Sequence, residues 1–502
     1  MPRGGSDGRP VALTTAESVW TRQATGGLER PEPRAPGQRS WRSRAWWHTP
    51  RLVRGLTGIC LVALLVAGVV TGAVLAGARG GADVIGHRAA PQVVRSADLY
   101  FALNDMDAQA ANLLLLGADP DYQALRKQTL DTYEQRRAQA DGDLQRVTEA
   151  VSGDLAGQAA VQTVIGQLGS YEALVARAQL LEDQARAPAG RPSADALAAY
   201  RQATDLLRQR LLPAVDELTR ANSNVVEESY RDQRDSLASG WWEILAAGLL
   251  ALAALGVLQR LLAVRFRRLV NLPLAVASLL VLAALVSALT LTSGAERELT
   301  VAKSNSFDSV IALSRARAVA YDLNADESRY LTDPARAAAY EQSFFDKTQS
   351  VARVEGATLS TYNTELAAAA GRHPVAFGGY LGDELRNVTF DGEQDAAERV
   401  LASFQQYQRD DRKMRELSGE GRLKDAVTFN TGIAPGQSNA DFGVLSAALD
   451  DTQAINQRAF ERAVAATDGD LDATTAGLGV AALVVALALV AGGVRPRLRE
   501  FA

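Results

Sequence analysis

Residues Gly55–Ala78 read GLTGICLVALLVAGVVTGAVLAGA, 24 residues without a charge. A helix needs about 20 apolar residues to cross the ~30 Å hydrocarbon layer of a bilayer, so this stretch is long enough to span one. Its apolar run exceeds the about 7–15 residues of a signal-peptide core, and 54 residues precede it, which argues for a retained span. Reading outward, three more segments share the property. Ile244–Gln259 is uncharged and extends to Trp241 and Val264, with Trp241 and Trp242 suited to an interface; Leu269–Ala295 and Ala473–Val494 are uncharged throughout.

Charge sets the expected orientation. The chain carries 48 Arg, 5 Lys and 58 acidic residues, for a net charge of −5. Residues 1–54, 260–268 and 495–502 together hold 17 Arg against 5 acids, whereas the rest of the chain sums to −17. By the positive-inside rule the Arg-rich parts, including both termini, are cytoplasmic in a plasma membrane. The expected order is a disordered basic tail (1–54), spans at 55–78, 241–264, 269–295 and 473–494, a tiny inner loop (265–268) and a short tail (495–502). Two acidic segments, 79–240 and 296–472, lie outside.

Both outer segments read as helical bundles. Apolar residues make up 47% of the chain but aromatics only 6%, so Ala, Leu and Val dominate and favour helix. Leu197, Tyr200, Thr204, Leu207, Leu211, Ala214, Leu218, Ala221 and Val225 recur at spacings of three and four, the seam of a packed helix. Pro213 falls inside that helix and should bend it. Breaks at Gly117–Asp121, near Ser152–Gly157 and at Ala187–Ser193 leave four helices in the first segment, hence an up-down bundle. In the second segment Leu323–Glu327 compares with Leu103–Asp107, and Asp333-Pro334 with Asp119-Pro120. An irregular insert (Gly371–Glu393) and a Gly-rich break (Gly419–Asn439) interrupt it. The predicted fold class is therefore an all-α integral membrane protein with four transmembrane helices and two extracytoplasmic up-down four-helix bundles in tandem.

One Cys excludes an intrachain disulfide framework, and the three His residues lie far apart. The mild net charge argues against a general nucleic-acid binder. No phosphate loop, zinc-protease motif or Cys pair occurs, so no catalytic residue, metal or cofactor is assigned and no enzyme is expected. His373 in the insert lacks a partner motif, and Cys60 reads as span packing. Gly68-Val-Val-Thr-Gly72 fits a close-packing membrane motif. The spans carry no deep charge, which weighs against a transporter. Asn387-Val-Thr is a glycosylation sequon by pattern, most simply a chance occurrence.

The stretch DMDAQAANLLLLGADPDY (Asp105–Tyr122) resembles the first-helix signature of CHASE-type extracellular four-helix sensor modules, which precede histidine kinases, cyclases and chemoreceptors. SRYLTDP (Ser328–Pro334) is a shortened version. Asn112 departs from the pattern, which usually has Arg there; Arg329 fits it better. The overall plan is similar to that of the actinobacterial GlnX family of four-span membrane signalling proteins. That resemblance implies an external solute-binding lipoprotein (GlnH-like), a cytoplasmic Ser/Thr kinase (PknG-like) and amino-acid sensing; the Arg-over-Lys bias suits a high-GC actinobacterium.

Candidate sites follow. Asp105, Asp107, Asp326 and Glu327 recur in both halves and can bind a cation or a basic partner, against the simpler reading of a solvated helix face. Asp119, Tyr122, Arg329 and Asp333 lie at or near connections expected at the membrane-distal tip, where a docking protein would arrive. In the tail, Trp41, Arg42, Arg44, Trp46, Trp47, Arg51 and Arg54 suit anionic lipids or a cytoplasmic partner. The function expected is a non-enzymatic transmembrane receptor, with a homodimer compatible. The alternatives are a structural scaffold of the cell envelope and a transport accessory subunit.

Overall fold

The computed structural model describes residues 49–150, 155–266, 271–372 and 375–499. Trp41, Arg42, Arg44, Trp46, Trp47, Arg267, Arg268 and His373 lie outside the described residues. Helix α1 (Thr49–Asp83) starts inside the stretch read as disordered tail, with Pro50 in its first turn, where a missing N–H costs nothing. Arg51 and Arg54 are exposed at that end. A wide π turn, Val84–Ala89, joins α1 to α2 (Ala90–Leu116), and α3 (Gln123–Ala150) and α4 (Leu155–Ala185) follow. A second rod is built from α5 (Ala194–Leu206), a π turn (Leu207–Leu211) and α6 (Leu212–Phe266). The third is α7 (Leu272–Thr300), a π turn (Val301–Phe307) and α8 (Asp308–Thr332). Then come α9 (Ala337–Val351), α10 (Tyr362–Ala370), α11 (Gly379–Asn387), α12 (Glu393–Gly419) and α13 (Leu423–Thr431). The last rod is α14 (Ser438–Asp470) with α15 (Ala473–Arg499).

Among the described residues every regular element is a helix, and four rods are long and apolar enough to cross a membrane: Arg51–Leu116, Ala194–Arg265, Leu272–Thr332 and Gly477–Pro496. The protein is an all-α membrane protein. The spans pack through Val53, Cys60, Leu64, Leu255, Leu274 and Val490, while Ile59, Val69, Leu250, Leu279 and Val484 face outward, as lipid contact requires. Gly68 meets Leu483 of α15 within the chain, but Gly72 faces open space, so only half of the Gly-x-x-x-Gly motif is a close contact.

Two helical cores lie beyond the spans; the second departs from the expected four-helix bundle, because Leu366 of α10 and Leu381 of α11 join its core. Leu103, Met106, Val164, Tyr171, Tyr200 and Leu211 fill the first, and Leu323, Phe344, Val400, Phe404 and Leu445 fill the second. Ala325 of α8 belongs to the first core, so the two bundles share a wall rather than standing apart. At the level of the wide turns of the first and third rods, all four rods meet through Ile85, Val93, Val226, Leu299, Phe307 and Phe460.

Three expectations change in detail. The predicted seam fails at its end: Ala221 and Val225 are exposed and Val226 is buried instead. The π turn Leu207–Leu211 adds a residue to one turn, which moves the inward stripe on by one. That turn lies just ahead of Pro213, whose ring would otherwise meet the carbonyl of Gln209. The insert is not wholly irregular, because it contains α11, and the Gly-rich break contains α13. Apolar Val427 and Ala426 of α13 pack on Leu115 and Leu331, which stabilises a helix its neighbouring glycines conceal.

A leucine at Gly68 is expected to overpack against Leu483 and to lower stability by about 1–3 kcal/mol. Thermal unfolding of the detergent-solubilised protein reads this; Gly72→Leu is the control and should leave the melting temperature nearly unchanged.

Candidate functional site

On α8 the residues Asp322, Asp326 and Arg329 stand at i, i+4 and i+7, so one face carries all three. That face meets α2. Arg329 is only 1% exposed, and its guanidinium donates to Asp322 Oδ1 at 3.0 Å, to Asp326 Oδ1 at 2.5 Å and to Asp107 Oδ2 of the other bundle. Its Nε donates to Tyr200 OH at 3.1 Å. Lys347 of α9 joins Asp322 Oδ2 at 2.7 Å and also pairs with Asp326. Arg208, in the wide turn of the second rod, lies 3.8 Å from Asp326 and donates to Ser343 Oγ at 2.7 Å. Asp107 also accepts from Tyr171 OH at 3.1 Å and from Thr204 Oγ1 at 2.9 Å.

Three carboxylates thus face three cations inside the joint between the bundles. Burial opposes ionisation of Asp322, but Lys347, Arg329 and Arg208 outweigh it and hold this carboxyl well below the usual range. Burial lowers Lys347 even with Asp322 and Asp326 beside it. The site is a neutral, saturated ionic lock.

The candidate acids are therefore not a solvated face. Asp105 and Asp107 are buried, as are Asp326 and Glu327. Asp105 pairs with Arg136 Nε at 2.5 Å and accepts from Gln109 at 2.7 Å, although burial still pushes its carboxyl up. Glu327 accepts from Ser438 Oγ at 3.3 Å and lies against Tyr407; burial, with Asp411 adding to it, pushes this carboxyl well up. A common pattern emerges. Each bundle sets a buried acid on its first helix against a hydroxyl on its last: Asp107 accepts from Thr204 in one, Glu327 from Ser438 in the other.

The tip residues divide. Asp333 is buried, gripped by both ends of the Arg201 guanidinium and by Tyr340 OH at 3.2 Å; Arg201 and Tyr340 overcome burial and keep it below the usual carboxylate range. It is not offered to a visitor. Asp119 accepts from Asp121 N at 3.0 Å and starts the short turn Pro120–Tyr122. Tyr122 OH meets Thr428 Oγ1 at 2.7 Å, and Lys424 meets Asp121 at 2.9 Å, so α13 of the second half covers the tip of the first. Asn112 accepts from Ser328 Oγ at 2.5 Å; the buried cation of this joint is Arg329.

A cleft of 330 Å³ lined by Tyr100, Arg208, Asp216, Arg220 and Asp322 opens from solvent onto the edge of the lock. No motif or spacing in the sequence marks Arg136, Arg201, Arg208 or Lys347. One signal was available: Lys347 is one of five Lys in a chain of 48 Arg.

Residues 81–231 match the family described as Actinobacterial sensor domain. The matched part runs from the end of α1 through the first bundle into α6, and it supports a signalling-receptor role. No curated protein and no solved structure matches the chain.

Asp107→Asn leaves the buried Arg329 short of one charge and is expected to cost about 3–5 kcal/mol, a large fall in melting temperature in detergent. Adding Arg329→Met should restore much of the loss, because the stranded charge goes with it. An additive double mutant would count against the lock.

Proposed function

We propose that this chain is a non-enzymatic transmembrane receptor with both termini in the cytoplasm and both bundles outside. A small ligand, an amino acid for instance, or a ligand-loaded lipoprotein of the GlnH-like kind acts on the bundles. A separate cytoplasmic effector, a Ser/Thr kinase of the PknG-like kind, reads the result. The observation that carries this is continuity: three rods run from the buried lock through helical backbone into the spans. Any change in how α2 sits on α8 shifts helices that enter the bilayer, which is how piston or rotation signals travel.

Several further features support the reading. The family match covers the first bundle. The cleft at Tyr100 and Arg220 gives a small molecule access to the edge of the lock. The Arg-rich parts of the sequence favour the proposed orientation. The exposed Arg51 and Arg54, with the Trp/Arg tail before them, suit anionic lipid or the effector.

Two measurements test this. With Cys60 replaced by Ala, a single Cys placed at Asp121 should react with a membrane-impermeant maleimide in intact cells, and one placed at Ser40 should not. Affinity purification after cross-linking should recover an extracytoplasmic solute-binding protein and a soluble kinase; recovery of neither sinks the proposal.

A further inference from the structure

The cleft at the edge of the lock continues into a second hollow of 170 Å³. Tyr100, Asp216 and Arg220 border both, so the two form one groove. Its walls come from three rods: Tyr100 from α2, Asp216 and Arg220 from α6, and Ser314 and Arg315 from α8. Tyr380 of α11 lines the second hollow.

The charges along this groove do not balance. Asp322 gives Oδ1 to Arg329 and Oδ2 to Lys347, and Arg208 belongs to the lock through Asp326. What remains is Arg220 and Arg315 against Asp216. Asp216 accepts from Arg220 at Oδ2, and its Oδ1 lies 3.8 Å from Arg315. Among the described residues no other acid pairs with either arginine. A guanidinium carries several N–H donors, so one carboxylate shared by two of them leaves donors for water or a ligand. Two hydroxyls stand in the same walls. Ser314 is 1% exposed, and its Oγ has no hydrogen-bond partner. Burial, with Asp322 and Asp216 adding to it, pushes the Tyr100 phenol up, so this hydroxyl keeps its proton.

We propose that the groove binds a small organic acid anion with one carboxylate and no cationic group. Three features select that class. Arginine forks match the plane of a carboxylate. The surplus charge is single, so a monoanion neutralises it, whereas a dianion is left facing Asp216. Asp216 turns both oxygens to arginines and Asp322 has spent both of its own, so an ammonium finds no free carboxylate and adds to the surplus. The proposal rests on the reading of the cleft as a ligand entrance and narrows it: an amino acid acts through the lipoprotein rather than here. A carboxylate shared by Arg220 and Arg315 ties α6 to α8, the second rod to the third, beside the lock.

The test is isothermal titration of the full-length protein in detergent with the sodium salts of L-lactate, propionate and succinate, and with L-alanine. Lactate and alanine share a shape and differ by a hydroxyl against an ammonium. Lactate and propionate are expected to bind, and alanine and succinate to bind about tenfold more weakly or worse. Arg220→Gln and Arg315→Gln should each weaken lactate by about ten- to a hundredfold. Both side chains are partly exposed and lie outside the lock, so the variants should melt close to wild type. If either melts early, Arg315→Lys, which keeps the charge and loses the fork, must still weaken lactate, by a smaller factor. Alanine binding as tightly as lactate overturns the proposal and leaves an amino-acid receptor standing. Binding of none of the four, or lactate binding indifferent to both arginines, also overturns it, while partners recovered by cross-linking would keep the receptor reading. Lactate binding that depends on Arg220 and Arg315, with no partner recovered, keeps the groove and sinks the receptor.

Discussion

A guanidinium stays charged at any pH a protein meets, so burying one commits the surrounding structure to supplying acceptors. Arg329 is that commitment here. It lies on α8, yet Asp107 on α2 and Tyr200 on α5 are among its partners, so the second half of the chain is completed by the first. Separating the bundles would strand charges on both sides. The other cross-links follow the same joint: Ala325 fills the first core, Arg201 grips Asp333, and Tyr122 meets Thr428 at the tip.

This constraint turns two bundles into one mechanical body. Helices α2 and α8 continue through wide turns at corresponding places, Val84–Ala89 and Val301–Phe307, and both turns pack in the cluster where all four rods converge. A π turn carries looser hydrogen bonding than the helix around it and is a natural place for a register change. Under the receptor reading, the lock sets the relation of the rods above, and the wide turns are where a shift is absorbed or passed to the spans.

Much of this was legible in the residues. Four charge-free runs announced the spans, and Ala/Leu periodicity announced the bundle helices. The likeness of Leu103–Asp107 to Leu323–Glu327 marked the two stretches whose buried acids each accept from a hydroxyl on a later helix, Thr204 and Ser438. The environment of the acids was not legible. A buried, paired aspartate and a solvated one have the same spacing on a helix, and only the partner helix tells them apart. Val225 and Val226 exchanged roles because an extra residue in a turn leaves no trace in a pattern of threes and fours.

The sequence by itself determined that this chain is helical and membrane-spanning, since those properties depend on local composition and period. The tertiary structure alone decided that Asp105, Asp107, Asp326 and Asp333 close on Arg136, Arg329, Lys347 and Arg201 rather than facing water. Pairing of charges depends on distance across helices far apart in the chain, and no local pattern encodes it.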